Sequence, residues 1–340
     1  MDFAGLIGQF RVNRSLTEQE RQLQLHQKQR LDIEPHYQMC VIDMNATYLE
    51  SVDKWYGDKG TITGVTLTII SMLVALFAGL LHSSLTRETA GINSNDMGIL
   101  IFDAVLSCPL MALAIWNLSK DAFSYTHYPL RFDRTHRMVH VFRKNGSVLS
   151  LPWDRIVFTM SPVDHVYRYF NILGHAMADD NVTIQESFAL SVSEVGTPEG
   201  LTVLRSHWEF IRRFMEDGPA AVIGQVQFCL PIKVRHESPW FGVQRLMAGD
   251  VGTPMMFPLL VFNLAFSALV VPFRWIAMRT SKLPHWPAEI EAVSMIEDGD
   301  PYAIAGKANG DRISLFPVAA EAAGVRFTGP PKNPLAPRTE

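Results

Sequence analysis

The sequence has few cysteines, no excess of basic charge and none of the common catalytic motifs. Cys40, Cys108 and Cys229 are the only three cysteines in 340 residues, and none has CxxC spacing. They support neither a disulfide framework nor a cysteine-rich zinc site. Thirty Lys+Arg against thirty-four Asp+Glu give a net charge of −4. This balance excludes a general nucleic-acid binder, which needs a basic domain or stripe.

Residue patterns that carry chemistry are equally scarce. The sequence has no G-x-S-x-G elbow, P-loop, G-x-G-x-x-G after a strand, or H-E-x-x-H. His136 and His140 lie four apart on a predicted strand, about 13 Å from each other, which is too far to share one metal ion. Asp298 and Asp300 are more simply a polar loop than a cation site. We therefore predict a non-enzymatic protein with no catalytic residue, cofactor or metal.

Charged residues make up only 19% of the chain, and the apolar residues are concentrated in blocks. Ile62–Leu81 contains no charged residue and has about the 20 residues that a spanning helix needs. Met97–Leu118 is similar but carries Asp103 and Pro109, and a proline can be tolerated within a spanning helix. The two blocks predict a transmembrane helical hairpin over residues 60–118.

A third apolar block, over residues 253–279, is less regular. It contains Pro258, Asn263 and Pro272, and its uninterrupted apolar core is shorter than a span requires. A single membrane span is the first interpretation. A re-entrant hairpin and an interfacial helix remain open.

Asp103 is the residue whose predicted position costs most free energy. An aspartate at membrane depth usually faces a protein interior or hydrates near the interface. We expect it to pair with Asn263 or with a polar group of the first span, and so to hold helices together. A transport pathway, which would normally need several such groups, is the less favoured alternative.

The distribution of Lys and Arg predicts the orientation. Seven precede the first block, only Arg87 lies in the loop between the first two blocks, and a basic run follows the second block. By the positive-inside rule, the N-terminus and the chain after Leu118 lie in the cytoplasm. The lipid bilayer is therefore an expected partner of this chain.

The segment over residues 119–218 predicts several antiparallel strands followed by one amphipathic helix. Asn145-Gly146 and Asp179-Asp180-Asn181 are hairpin turn signals. Thr197 and Pro198 form a helix start, an apolar face recurs at three- and four-residue steps, and Gly218 is the stop. This order predicts an α+β fold with a pleckstrin-homology-like barrel closed by its C-terminal helix. A generic α+β sandwich is the alternative.

Three further segments complete the predicted organisation. Residues 1–59 are a polar N-terminal segment with a short helix after the capping-box pattern Ser15–Glu18. Residues 219–252 form a connector. Residues 280–340 form a C-terminal segment whose tail, from Thr328, is rich in proline.

A basic cluster on the predicted barrel follows the second apolar block closely. Near a cytoplasmic leaflet, such residues are able to contact anionic headgroups. Positive-inside topology alone, without any specific lipid, is the simpler interpretation. The cluster consists of Arg131, Arg134, Arg137, Arg143 and Lys144.

Two stretches, Tyr128–Phe158 and Phe273–Ala292, resemble an uncharacterised family of proteobacterial membrane proteins. The likeness is carried by Arg-Phe-Asp-Arg, Pro-Trp-Asp and Trp-Pro-Ala-Glu and extends from the first apolar block to about Tyr302. Genes of this family often lie near type VI secretion effector cassettes. The resemblance implies a multi-pass inner-membrane protein that binds a toxin or secretion component, as an immunity protein or adaptor.

The residues themselves leave other functions open. A membrane-anchored lipid- or ligand-sensing module would use the basic face of the barrel. A small transporter or channel would be built around Asp103. The sequence does not fix the oligomeric state.

Overall fold

The structure, a computed structural model, is of the α+β class and describes residues 5–86, 94–162, 169–226, 228–251 and 257–305, without the side chains of residues 247–251, 257–260 and 263. Its helices are α1 (Glu18–Gln22), α2 (Thr61–Thr86), α3 (Ser94–Asp121), α4 (Pro198–Glu216), α5 (Pro239–Val251), α6 (Phe257–Thr280) and α7 (Ala288–Val293). Its strands are β1 (Gln24–Leu25), β2 (Val41–Met44), β3 (Tyr48–Ser51), β4 (Leu130–Asp133), β5 (Met138–Phe142), β6 (Val148–Pro152), β7 (Ile156–Pro162), β8 (Tyr169–Met177), β9 (Ile184–Val195) and β10 (Ile304–Ala305). The predicted tail from Thr328 lies outside the described residues.

The strands form two antiparallel sheets. One has the order β10-β2-β3-β4-β5-β6, and the other has the order β1-β7-β8-β9. Both predicted hairpin turns are confirmed, between β5 and β6 and between β8 and β9. Gly146 has φ +84° and Asn181 has φ +53°, which is the left-handed geometry that these turn residues tolerate.

The described strands do not close into a barrel. Each sheet is a separate hydrogen-bonded ladder, and β9 ends its sheet without pairing to the six-stranded sheet. A gap therefore remains between β9 and the strands β4 and β5. The predicted closed barrel is replaced by two sheets that share one core.

The apolar helices interrupt this sheet domain instead of preceding it. β3 pairs directly with β4, so that Tyr48 lies opposite Asp133 and Ser51 lies opposite Leu130. The helical pair α2–α3 is thus inserted between two neighbouring strands. Residues 1–59, predicted as a separate polar segment, supply β1, β2 and β3 to the sheets.

The predicted C-terminal helix of the domain is confirmed as α4. The Thr197 side chain accepts a hydrogen bond from the Gly200 backbone N–H, and Pro198 is the first helical residue. Gly218 follows with φ +92°. The helix buries Leu204 and Trp208 in the core, since its apolar residues repeat at helical spacing.

Aromatic side chains form the centre of the core between the sheets and α4. The rings of Trp153 and Trp208 stack with centroids 5.7 Å apart, and Phe158 lies 4.8 Å from Trp208. All three are fully buried. Truncating such a side chain to alanine typically costs about 3–5 kcal/mol, so we expect each member of this cluster to contribute strongly to the stability of the domain.

Two helices, α2 and α3, are long and apolar enough to cross a membrane. Only 11% of the most apolar window of α2 and 17% of that of α3 is buried inside the protein. Large apolar side chains therefore point away from the protein, as Phe102 and Val105 do at 70% exposure each. A buried core helix of a soluble domain would be covered on these faces.

The third apolar block forms a single helix over its described residues, and its span of the membrane stays a prediction. It lies in α6, which packs along α5, a helix within the predicted connector. Glu237, just before α5, bonds to Arg274 near the end of α6. The chain after α6 returns to the domain, where Lys282 donates its backbone N–H to the Ser124 carbonyl. Both ends of the α5–α6 pair therefore lie on the domain side.

Candidate functional site at the helix–domain junction

Charged side chains are buried where α2 begins, α3 ends and α6 approaches its end. We call this region the junction: residues 56–63 and 121–127, with Glu237 and Arg274. Arg274 is 1% exposed and Glu237 is 8% exposed. The junction connects the sheet domain to all three apolar helices.

Arg274 lies at the centre of the junction, and its guanidinium donates hydrogen bonds to four other residues. Its Nε and Nη2 donate to the two carboxylate oxygens of Glu237 at 2.6 and 2.9 Å. Its Nη1 donates to the carbonyls of Tyr56 and Gly57 at 3.0 Å each, and to that of Lys59 at 3.2 Å. Such a planar fork is the best group for holding a carboxylate without water.

The loop before α2 is shaped to fit against Arg274. Gly60 has φ +95°, and a Cβ built on it would lie 2.3 Å from the Cα of Arg274. Only glycine allows this approach of two backbones. The Tyr56 hydroxyl donates to Glu237 at 2.9 Å, which joins the same loop to the start of α5.

Lys59 and Asp121 connect α2 to α3. Lys59 Nζ donates to the backbone carbonyls of Asp121 and Tyr125 at 2.6 and 2.7 Å. The Asp121 carboxylate accepts from the N–H groups of Gly60 and Thr63 at 3.0 and 2.9 Å, so it caps the first turn of α2 from another helix. Burial lowers the pKa of Lys59 to about 8, although the nearby carboxylates oppose that shift.

The junction is thus a connecting structure. Its cations and carboxylates bond to each other and to backbone carbonyl and N–H groups. Because four separate parts of the chain meet there, the junction fixes the orientation of the apolar helices relative to the sheets.

An apolar cavity, which we call the sheet cleft, lies in the gap between β9 and the strands β4 and β5. Its volume is about 440 Å³. Phe10, Val12, Trp55 and Phe188 are among its lining residues. Arg143 and Glu186 also line it and form a partly exposed ion pair, which we call the rim pair. Its lining residues are mostly apolar with a few charged groups, which is typical of a binding site.

Three arginines of the predicted basic cluster form ion pairs with carboxylates. Arg131 is fully buried and bonds to Glu50 at 2.9 Å, so it does not face lipid. Arg137 bonds to Asp154 at 2.7 Å and to Glu216 at 2.8 Å. Most of these acidic partners are far away in sequence, and they neutralise charge that looked unpaired.

The remaining members of the cluster lie at different places. Arg134 donates to the Ala46 carbonyl at 3.2 Å, and Lys144 donates to the Leu6 carbonyl at 3.1 Å. Arg143 and Lys144 both line the sheet cleft. Lys144 is exposed, and for it lipid contact stays a prediction.

Asp103 lies on α3 and is 7% exposed. Its Oδ1 accepts a long hydrogen bond, 3.4 Å, from Ser107 on the same helix, while its Oδ2 has no partner among the described residues. The side chain of Asn263 lies outside the described residues. Pairing of Asp103 with Asn263 therefore stays a prediction.

The histidines considered as metal ligands have ordinary polar partners. His136 bonds to Asp133 at 2.9 Å, and His140 bonds to Ser150 at 2.8 Å. Across the described part of the chain, no three His, Cys, Asp or Glu residues are placed to hold a metal ion.

Sequence reasoning missed the junction. Lys59 was counted only among the seven basic residues before the first apolar block, and no pattern singled out Arg274, Glu237 or Tyr56. The available signal was the position of Arg274 inside an apolar block, because an arginine there is costly unless it is paired or reaches the interface. Their partners come from four parts of the chain, and no local pattern identifies them.

Comparison with known proteins gives one match. No curated protein and no solved structure is similar to this chain. A family model matches residues 107–298, which is more than half of the chain and runs from α3 to the segment after α7. Much of the junction lies within this range, including Asp121, Glu237 and Arg274. The chain therefore belongs to the family of unknown function DUF6708.

Proposed function

We propose that this protein is a non-enzymatic, multi-pass inner-membrane protein whose cytoplasmic sheet domain binds a segment of another protein in the sheet cleft. The observation that carries the proposal is the combination of an apolar cleft with two exposed apolar helices on one rigid junction. The resemblance of the sequence suggests a toxin or secretion component as the partner, in an immunity or adaptor role.

The length and the exposed apolar side chains of α2 and α3 support insertion into a membrane. α2 has 26 residues and is about 39 Å long at 1.5 Å per residue, which exceeds the ~30 Å hydrocarbon core. In water its exposed apolar side chains would be an aggregation hazard, whereas lipid covers them. The excess of Lys and Arg on the domain side supports a cytoplasmic position for the domain.

The α5–α6 pair fits a re-entrant hairpin. α5 has 13 residues and is about 20 Å long, too short to cross the hydrocarbon core. Because both ends of the pair lie at the junction, we infer that this hairpin dips into the membrane from the cytoplasmic side.

The edge of the sheet domain at β9 is the proposed binding site for the partner segment. Two antiparallel sheets followed by a C-terminal helix are the observation behind proposing a pleckstrin-homology-like domain, although the described strands form no closed barrel. β9 has 12 residues and stands at the edge of its sheet, and Gln185–Ala189 on this edge line the cleft. Edge strands bind extended segments through backbone hydrogen bonds, while an adjacent pocket selects side chains.

The cleft volume decides what kind of segment fits. About 440 Å³ is at the lower end of the ~300–1,000 Å³ typical of small-ligand sites. It accommodates one or two large apolar side chains of a partner, not a folded domain. The rim pair Arg143–Glu186 offers both charges to the partner's flanking residues.

The test uses the full-length protein in membranes, co-expressed with the products of the neighbouring genes. Val12→Asp places a charge in the cleft, and Val182→Asp is the matched control on an exposed turn. We expect co-purification of one neighbouring product and protection from it, lost in Val12→Asp and kept in Val182→Asp. Equal binding by both variants would remove the cleft from the proposal. Wild-type protein that neither protects nor co-purifies with any neighbour would refute protein binding.

A further inference from the structure

A second cavity, which we call the junction pocket, lies on the membrane-facing side of the domain. Its volume is about 470 Å³, and it is bounded by β9, by the loop before α2, and by α5 and α6. In contrast to the sheet cleft, it is lined largely by polar and charged side chains. These polar and charged side chains include Lys54, Asp58, Ser193, Glu194 and Arg245.

Arg245 is the main unexplained group in this pocket. Its Nε is shielded from solvent and has no hydrogen-bond partner among the described residues. The guanidinium lies 5.8 Å from the ring centre of Tyr56, and no carboxylate of a described residue forms an ion pair with it. An arginine presents a rigid set of five N–H donors that suits a phosphate. Leaving such donors unpaired costs free energy that a bound anion would recover.

A second unpaired polar group among the lining residues of the pocket belongs to Ser193 of β9. Its Oγ is buried and has no partner among the described residues. The neighbouring Ser191 Oγ, by contrast, donates to Ser51 Oγ at 3.1 Å. Buried hydroxyls are nearly always hydrogen-bonded in folded proteins. Two lining residues from different elements, Arg245 and Ser193, therefore each have a shielded polar atom without a partner among the described residues.

The pocket is balanced in charge. Lys54 and Arg245 are cationic, whereas Asp58 and Glu194 are acidic, and burial raises the pKa of both carboxyl groups. Lys54 is held near the rings of Phe10 and Trp55, at 5.7 and 5.6 Å. A purely anionic ligand would meet two carboxyl groups here. A ligand with one phosphate and one ammonium group would satisfy both signs.

The position of the pocket favours a lipid as the source of that ligand. Thr61 at the first residue of α2, and Ser267 and Val270 of α6, line it, so it stands where the inserted helices leave the domain. Phe262 and Leu269 on α6 are 66% and 70% exposed. Acyl chains of a lipid whose headgroup occupied the pocket would lie along this helix.

We propose that the junction pocket binds the headgroup of an aminophospholipid of the phosphatidylethanolamine type, with the phosphate at Arg245 and Ser193 and the primary ammonium at Asp58 and Glu194. Free phosphoethanolamine has the same chemistry without the acyl chains. The site is separate from the sheet cleft, so it stands whether or not the cleft binds a protein. Its role is to seat the domain against the cytoplasmic leaflet.

The experiment measures lipid retention by the full-length protein. Protein in nanodiscs of phosphatidylethanolamine, phosphatidylglycerol and phosphatidylcholine in equal parts is transferred to mild detergent, and the retained lipid is quantified by native mass spectrometry. We expect phosphatidylethanolamine to be retained about tenfold over the other two, a difference of ~1.4 kcal/mol. Arg245→Gln is expected to abolish this preference, and Arg155→Gln, a matched change at an exposed arginine, is expected to keep it.

Two further arms separate the sources and test the carboxyl groups. Soluble phosphoethanolamine at millimolar concentration should compete only weakly, because it lacks the acyl chains that α6 would contact; complete displacement would assign the site to the free compound and overturn the lipid. Glu194→Gln should reduce discrimination against phosphatidylcholine, whose quaternary ammonium donates no hydrogen bond. Preference for phosphatidylglycerol, or equal retention by Arg245→Gln protein whose thermal unfolding is unchanged, would overturn the proposal.

Discussion

The junction and the interior of the sheet domain exclude water to a similar degree but hold ionisable groups in different ways. At the junction, Arg274 bonds to Glu237 and to three backbone carbonyls. In the domain, His175 and His207 are fully buried and bond to no carboxylate of the described residues, and burial lowers their pKa to about 4 and about 3. The partners of Arg274 keep that buried group charged, whereas these two buried histidines stay neutral.

The difference teaches that partners, not burial, decide the charge state. Removing a charge from water costs several kcal/mol unless a counter-charge and further hydrogen bonds compensate. Helix ends and the turn before α2 provide spare carbonyl and N–H groups at the junction. Within a sheet, these groups are already used by neighbouring strands. His175 therefore bonds only to the neutral hydroxyls of Thr159 and Ser187.

The largest effect should come from breaking the junction pair on one side. Glu237→Ala leaves the buried Arg274 guanidinium without its counter-charge, which typically costs about 3–5 kcal/mol. We expect a large fall in the thermal unfolding midpoint of the detergent-solubilised protein. Glu199→Ala, at an exposed glutamate, is the control and should leave the midpoint unchanged.

A second variant tests whether the cost comes from the unpaired charge. Adding Arg274→Leu to Glu237→Ala removes the orphaned guanidinium, so part of the stability should return. Equal stability of the wild-type and Glu237→Ala proteins would contradict the role assigned to the junction. A double variant less stable than Glu237→Ala would show that the contacts of Arg274 with the backbone matter more than its pairing.

Local signals explain which parts of the fold were predictable. Helix α4 was located by its cap, its first proline and its stop glycine, all within Thr197–Gly218. The hairpin at Asn145-Gly146 was read from the same kind of local chemistry. Helices α2 and α3 were recognised because the chain contains two long stretches with almost no charge. In each case the determining residues lie close together in sequence.

Long-range pairing explains what was missed. Nothing near Tyr48–Ser51 shows that this strand will pair with Leu130–Asp133 after two long helices. The ion pairs of the predicted basic cluster were missed for the same reason, because Glu50 and Glu186 reach Arg131 and Arg143 only in the folded chain. The junction depends on residues from four segments, which one sequence does not connect.

An intermediate effect is expected from the neutral histidine in α4. Both ring nitrogens of His207 lack partners among the described residues, and its pKa is lowered to about 3 by burial. An unfolded histidine titrates near ~6.5, so the unfolded state binds more protons below that pH. Wild-type stability should therefore fall as the pH drops from about 6.5 towards 3.

The variant His207→Leu isolates this contribution. At pH 5 the unfolded state is favoured through His207 by ~2 kcal/mol, which is 1.5 pH units at ~1.4 kcal/mol each. We expect the stability of His207→Leu relative to wild type to rise by about that amount between pH 7.5 and pH 5. His26→Leu, at an exposed histidine, should show no such change. A parallel pH response of wild type and His207→Leu would mean that His207 is protonated inside the domain.

The smallest effect belongs to the ion pair at the rim of the sheet cleft. Arg143 and Glu186 bond through both guanidinium and carboxylate atoms, but their side chains are 34% and 38% exposed. Solvent screening limits such pairs to about 0–1 kcal/mol. A double-mutant cycle with Arg143→Gln and Glu186→Gln should give a coupling energy in this range, decreasing with added salt. A coupling energy as large as that of Arg274 with Glu237 would mean that the rim excludes water as well as the junction does. The junction would then differ from the rim only in the number of its backbone partners.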